Sequence, residues 1–169
     1  PLCAGQHNVG AFSLMVYNDG IVGNTGPLTS VGEGHLPCFP EIEIKPNTYP
    51  FGSHGFYHSS GMFWIGAIRD FDTLVTTPAN DEFGILFHNG EFSPEIAPWG
   101  RMEYRSNIGR DYPGYSKAVS EQDYIAVYTD TFVTNTRLDE LDHRLHIPLR
   151  VQVIQKSYSW SYSYAEDFV

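Results

Sequence analysis

The run VQVIQKSYSWSYSY, residues 151–164, decides how the rest of the chain is read. From Ser157 onward the alternation is strict. Tyr158, Trp160, Tyr162 and Tyr164 share one parity, and Ser157, Ser159, Ser161 and Ser163 share the other. Side chains of an extended strand alternate faces with a period of two, so the run predicts a β-strand with one aromatic wall. Val151 and Val153 lie on the serine parity, whereas Ile154 lies on the aromatic one. The switch of apolar parity near 153–155 predicts a bulge or a crossing between two sheets. Fourteen extended residues reach roughly 46 Å at about 3.3 Å each, whereas a typical strand has about five or six residues. Such a strand is expected to serve two sheets or to run past its own domain.

Working back from that strand, the other segments are short. Residues 124–131 (YIAVYTDT) and 11–17 (AFSLMVY) read as strands; in the second, Phe12, Leu14 and Val16 share a face. Asn18-Asp19-Gly20 marks a turn, after which Ile21-Val22 restarts a strand. Residues 62–68 (MFWIGAI) are the most hydrophobic run and predict a central strand buried on both faces. Arg69-Asp70-Phe71-Asp72 then turns the chain into 73–77 (TLVTT), a hairpin. Asn89-Gly90 predicts a second hairpin between 85–88 and 91–93. Residues 41–45 (EIEIK), stopped by Pro46, read as an edge strand, and 101–105 (RMEYR) as a short one. One helical turn is expected in 116–123, where Ser120 and Asp123 are spaced like a capping box. A second is expected in 138–145, from Leu138, Leu141 and Leu145. Residues 1–10 lack any period and read as an extended N-terminal leader. Residues 23–40 and 47–61 read as long Gly- and Pro-containing loops. Eight to ten short strands with little helix predict one all-β domain over 1–169, a jelly-roll-like β-sandwich.

Composition agrees. Aromatic residues are 15% of the 169-residue chain, with 16 Gly and 11 Pro, the profile of an ordered β domain with many turns. Ten Lys and Arg face twenty Asp and Glu, a formal charge of −10. That balance repels phosphate backbones and anionic lipid, which argues against nucleic-acid partners and anionic membrane surfaces. No apolar run approaches the ~18 residues of a membrane helix, so no membrane insertion is expected. The chain opens on Pro1 without Met and reads as a processed or excised product. Cys3 and Cys38 fit one disulfide in an oxidising compartment, worth roughly 3–4 kcal/mol by loop closure. Two separate thiols is the other reading.

HNVG at 7–10, the 62–77 block, SEQDYIAVYTD at 120–130 and, above all, QKSYSWSYSYAEDFV at 155–169 resemble the N-terminal region of large, mostly uncharacterised secreted bacterial surface proteins. In those relatives the matching region opens the mature chain and further β domains follow. The resemblance implies export from a bacterium and an extracellular or cell-surface location. It implies no catalytic residue. The loops at 23–40 and 47–61 depart from the relatives.

No motif for chemistry stands out. His54 and His58 are four apart among glycines that disfavour a helix, and His143 and His146 are three apart near Asp139 and Asp142. Neither pair has a third metal ligand in view. Asp70, Asp72, Asp81 and Glu82 offer oxygen ligands for Ca²⁺, although turn-forming side chains explain them as well. There is no nucleophile elbow, phosphate loop or dinucleotide fingerprint, so neither an enzyme nor a cofactor is expected. His58-Ser59-Ser60-Gly61 is a polar loop, and no Asn-x-Ser/Thr sequon occurs. The aromatic wall of Tyr158, Trp160, Tyr162 and Tyr164 admits three readings: a core face, a contact with another subunit, or a stack for sugar. Phe56, Tyr57, Trp99, Tyr112 and Tyr115 in loops are further candidates for stacking. The over-long last strand and the leader together favour a structural subunit that polymerises head-to-tail with copies of itself by strand addition, as an extracellular filament or surface assembly. A glycan-binding module of a surface protein is the alternative.

Overall fold

The computed structural model describes residues 3–23, 36–37, 47–50, 52–55, 60–78, 90–94, 102–131, 138 and 143–162. In chain order its strands are β1 (Cys3–His7), β2 (Leu14–Tyr17), β3 (Ile21–Val22), β4 (Leu36–Pro37), β5 (Gly61–Met62), β6 (Ile65–Arg69), β7 (Asp72–Thr76), β8 (Ser93–Pro94), β9 (Glu103–Arg105), β10 (Gln122–Thr129) and β11 (Gln152–Ser159). The fold is all-β; the one helical turn among the described residues is a 3-10 turn at Tyr115–Lys117. One sheet has the order β4-β1-β2-β3-β5. In a second, β11 lies on one side of β10 and the short β8 and β9 on the other. β6 and β7 form a two-stranded sheet of their own. Every pairing is antiparallel except β1 with β4.

The two larger sheets share one apolar cluster. Cys3 and Val16 come to it from the first sheet, and Tyr124, Ala126 and Tyr128 from β10, with Phe92 and Met102 beside them. The opposite parity of β2, Met15 and Tyr17, packs with Ala4 and Ile21 in a second cluster. The first sheet is therefore buried on both faces, and its hairpin turn is tight. Gly20, at φ 94°, sits where an added Cβ would lie 3.2 Å from the Tyr128 hydroxyl. A left-handed φ in that space suits glycine.

The expected N-terminal leader is corrected at residues 3–7. These form β1, every residue of which is buried between β2 and β4. The strand escaped notice because polar contacts stabilise much of its burial. Gln6 Nε2 donates to Ser13 Oγ at 2.7 Å, and Gly5 meets the Tyr124 ring so closely that a Cβ would lie 2.7 Å from it. Alternation of apolar and polar residues never arises in CAGQH.

The run 62–68 is corrected in the opposite sense. It is not one central strand. β5 ends at Met62 on the margin of the first sheet, and β6 pairs with β7 alone. Ile68 is 78% exposed, and Phe63, Trp64 and Val75 are exposed as well. The hairpin itself forms as the sequence predicts. Arg69 faces Asp72 across a two-residue loop in which Asp70 and Phe71 have φ 51° and 75°. Two left-handed residues define the primed turn that matches strand twist.

The helical turn expected in 116–123 appears as the 3-10 turn at Tyr115–Lys117, without the expected cap, and the one expected in 138–145 does not form at its described residues. Residues 138 and 143–145 are not helical, and His143 has φ 55°. Asp123 caps no helix. It lies in β10, where its carboxylate accepts from the backbone N–H groups of Val119 and Ser120, both at 2.8 Å. The expected segments 41–45 and 85–88 lie outside the described residues. Among the described residues no helix is long and apolar enough to cross a membrane.

Candidate subunit interface on the last strand

β11 is held by β10 along its whole length, from Gln152 opposite Thr129 to Ser159 opposite Gln122. Each step on one strand matches one step on the other, so the expected bulge near 153–155 is absent. The irregularity sits just before the strand, at Arg150, whose φ is 62°. β11 also stops at Ser159, so the predicted strand of 151–164 is eight residues long. Trp160 and Tyr162 follow it without strand pairing.

The apparent change of parity is a change of chemistry on a single face. Val151 and Val153 pack against the shared apolar cluster. Further along the same face, Gln155 accepts from the Tyr128 hydroxyl at 3.1 Å and donates to the Tyr17 carbonyl at 3.4 Å. Ser157 Oγ lies 2.8 Å from His7 Nε2, and Ser159 Oγ donates to the Val9 carbonyl at 3.2 Å. The hydroxyl face therefore turns toward the first sheet. Small serines let β1 approach with its polar side chains, and their hydroxyls satisfy what β1 brings.

The aromatic parity consequently faces away from the first sheet. This corrects the reading of that wall as the core. Ile154 is 58% exposed, Lys156 is exposed, and Tyr158 is half-buried. Tyr158 and Trp160 are ring neighbours, centroids 6.1 Å apart at 31°. Tyr162 is 47% exposed, and Tyr164 lies outside the described residues. Nearby, the Arg105 guanidinium donates to both oxygens of Glu103, at 2.8 and 2.9 Å, and holds that carboxyl below its ordinary pKa. The pair is solvent-facing and contributes little to stability.

Among the described strands β11 has one neighbour, β10, and its far side is an edge of the described sheet. The edges of the other two sheets are two-residue strands or the β6–β7 hairpin. A long edge carries a row of backbone donors and acceptors that an added strand can take up. Placement on an edge was not legible in the alternation of 157–164, which reports faces and not neighbours.

His7 and Ser157 make a pair that the sequence, with 150 residues between them, did not suggest. A serine beside a histidine raises nucleophilic catalysis. The geometry opposes it. His7 Nδ1 is buried with no hydrogen-bond partner, so no third group fixes the tautomer that a catalytic histidine needs. Burial lowers the His7 pKa to about 4, against the pull of the Asp123 carboxylate. A base so weak abstracts a serine proton poorly near neutrality. The pair is a packing contact, flanked edge-to-face by Tyr124 at 4.8 Å.

The other candidates do not converge. Among the described residues no three His, Cys, Asp or Glu side chains are grouped to hold a metal ion. His54 and His143 are exposed, and His146 has Glu91 Oε1 3.0 Å from Nδ1 and the Asp130 carbonyl 3.2 Å from Nε2. Both ring nitrogens thus already face oxygens of this chain. His58, Asp81, Glu82, Asp139 and Asp142 lie outside the described residues, as do Phe56, Tyr57 and Trp99; Tyr112 and Tyr115 are exposed. Cys3 is buried in β1, and no free thiol occurs among the described residues. Cys38 lies outside them, although Cys3 pairs in register with Leu36, two residues earlier in the chain. The Cys3–Cys38 bridge stays a proposal. Compared with family models, curated proteins and solved structures, the chain matches none.

Proposed function

We propose that this chain is a structural subunit of an extracellular bacterial filament or surface assembly, joined head-to-tail by β-strand addition at β11. One observation carries the reading: an eight-residue strand bonded on one side only among the described strands, with Ile154 exposed on its outward face. β1 lies inside a sheet, so the leader is withdrawn as the donated strand. The donor in this reading is the β6–β7 hairpin of the next copy, whose Ile68, Phe71 and Val75 are exposed. An isolated two-stranded hairpin is marginal in water, and an edge of a neighbour would complete its sheet. Because the two surfaces differ, the contact repeats without closing.

Negative-stain microscopy and light scattering at rising concentration test this. The expected result is ordered polymers from the natural chain and monomers from Ile154→Lys, with the melting temperature unchanged. A natural chain that stays monodisperse at high concentration sinks the proposal. The Tyr158–Trp160 ring pair favours a second reading, a glycan-binding module. Specific sugar affinity on a glycan array, without assembly, selects that reading.

A further inference from the structure

Residues 143–151 form the crossing that leads past the ends of β7 and β10 into β11, and three contacts fix them. The Asp130 carboxylate, buried at the end of β10, accepts from the Val151 N–H at 3.0 Å and from the Leu149 N–H. It also accepts from the Thr76 hydroxyl at the end of β7, at 3.0 Å. Arg69 of β6 donates to the Pro148 carbonyl. The third contact is His146. Its Nδ1 lies 3.0 Å from Glu91 Oε1 and its Nε2 lies 3.2 Å from the Asp130 carbonyl oxygen. Glu91 is itself pinned: Oε2 accepts from the Thr77 N–H at 3.0 Å, and its own N–H donates to the Thr77 carbonyl at 2.8 Å.

Proton counting makes this contact unusual. A carbonyl oxygen can only accept, so Nε2 must carry a proton. A carboxylate can only accept, so Nδ1 must carry one too. A neutral imidazole has one N–H and cannot satisfy both. The arrangement therefore holds one proton more than a neutral ring beside an ionised carboxylate, whether that proton sits on Nδ1 or on Glu91 Oε1. We propose that His146 and Glu91 form a proton-dependent clasp that holds the 143–151 crossing against the ends of β7 and β10, and that opens as pH rises.

Among the described residues, Glu91 and Asp130 are the charged groups that act on the ring; Arg69 reaches the same crossing two residues further on, at Pro148. Burial works to lower the ring's pKa, but Glu91 and the Asp130 carbonyl and charge outweigh it and hold it above the ordinary value. Loss of the proton leaves a nitrogen lone pair facing a carboxylate, and that contact becomes repulsive. The clasp is thus closed below the ordinary histidine range and opens through the raised value.

Hydrogen exchange at the Leu149 and Val151 amides, corrected for intrinsic chemical rates, reads the clasp between pH 6 and pH 9. Protection in the natural chain should fall by about tenfold or more, the scale of one broken local contact. Glu91→Gln is the discriminating variant. Its amide oxygen can accept from Thr77 while its nitrogen donates to a neutral Nδ1, so both ring contacts persist without the extra proton. Its protection should be flat with pH. Ring ¹⁵N shifts of the natural chain, which need no variant to fold, should show His146 titrating above free histidine. Equal pH dependence in the natural chain and Glu91→Gln, constant protection in the natural chain, or a ring titrating at or below the free value each overturns the clasp.

Discussion

β1 and the β6–β7 hairpin exchange the places their sequences suggest. CAGQH, with its polar end, is buried throughout, whereas IGAIR, mostly apolar, is exposed on one whole face. The difference lies in what each strand can reach. β1 has a strand on either side and a second sheet above it, so its polar groups find partners: Gln6 finds Ser13, and His7 finds Ser157. Among the described residues β6 pairs with β7 alone; only its ends reach further, Ile65 to the margin of the shared cluster and Arg69 to Pro148. Hydrophobicity measures what burial would gain; neighbours decide whether burial occurs.

The sharpest contrast lies in acid. His7 is buried neutral with its pKa lowered to about 4. Between that value and the ordinary 6.5 the unfolded chain binds a proton that the folded chain does not. Stability should therefore fall as pH drops through this window, by roughly 3 kcal/mol in total, and level off below it. His146 acts with the opposite sign, since its raised pKa adds stability at low pH that is lost as pH rises through it. Urea unfolding at closely spaced pH values measures the slope. His7→Asn should remove it; an unchanged slope in that variant would place the acid sensitivity elsewhere.

Two glycines carry the comparison into packing. A Cβ at Gly5 would lie 2.7 Å from the Tyr124 ring and 3.0 Å from Met102 Sδ, while one at Gly66 meets nothing closer than 3.8 Å. Gly5→Ala should cost about 2 kcal/mol by overpacking. Gly66→Ala should change stability by less than about 0.5 kcal/mol, as surface substitutions do. Between these two falls the polar share of the inter-sheet contact. The Tyr124 hydroxyl donates to the Gln6 carbonyl at 2.8 Å, and Tyr124→Phe should cost about 1 kcal/mol. Parallel denaturation curves rank all three; similar costs at Gly5 and Gly66 would erase the distinction between the two regions.

Much of the architecture is readable in local pattern. The turn at Asn18–Gly20 and the reversal within Arg69–Asp72 form where the sequence predicts, and the strand expected at 124–131 forms two residues earlier, at Gln122–Thr129. What is not readable is partnership. The serines of β11 look like a solvent face until His7 and Val9 are brought to them across 150 residues. The aromatic wall looks like a core for the same reason. Of the proposed interface residues, Tyr158 alone lies within β11, because strand pairing ends where β10 begins, at Gln122. Period in a sequence reports alternation between faces and leaves open which face is covered.

The smallest expected effect separates stability from assembly. Phe71 sits at φ 75° and is fully exposed, at 102%. A left-handed conformation costs an L-residue about 1–2 kcal/mol that glycine escapes. Glycine in turn loses about 0.4–1 kcal/mol through the greater freedom of its unfolded chain. Phe71→Gly gives up no burial within the chain, so the balance favours the variant by about 0.5 kcal/mol. A Phe-to-Gly change that raises the melting temperature is an uncommon result, and a calorimetric scan can resolve it. The same ring is a contact of the hairpin in the assembly reading, so polymer formation should weaken while the subunit gains stability. If stability falls instead, Phe71 is packed within its own chain, and the hairpin is no longer the exposed counterpart of β1.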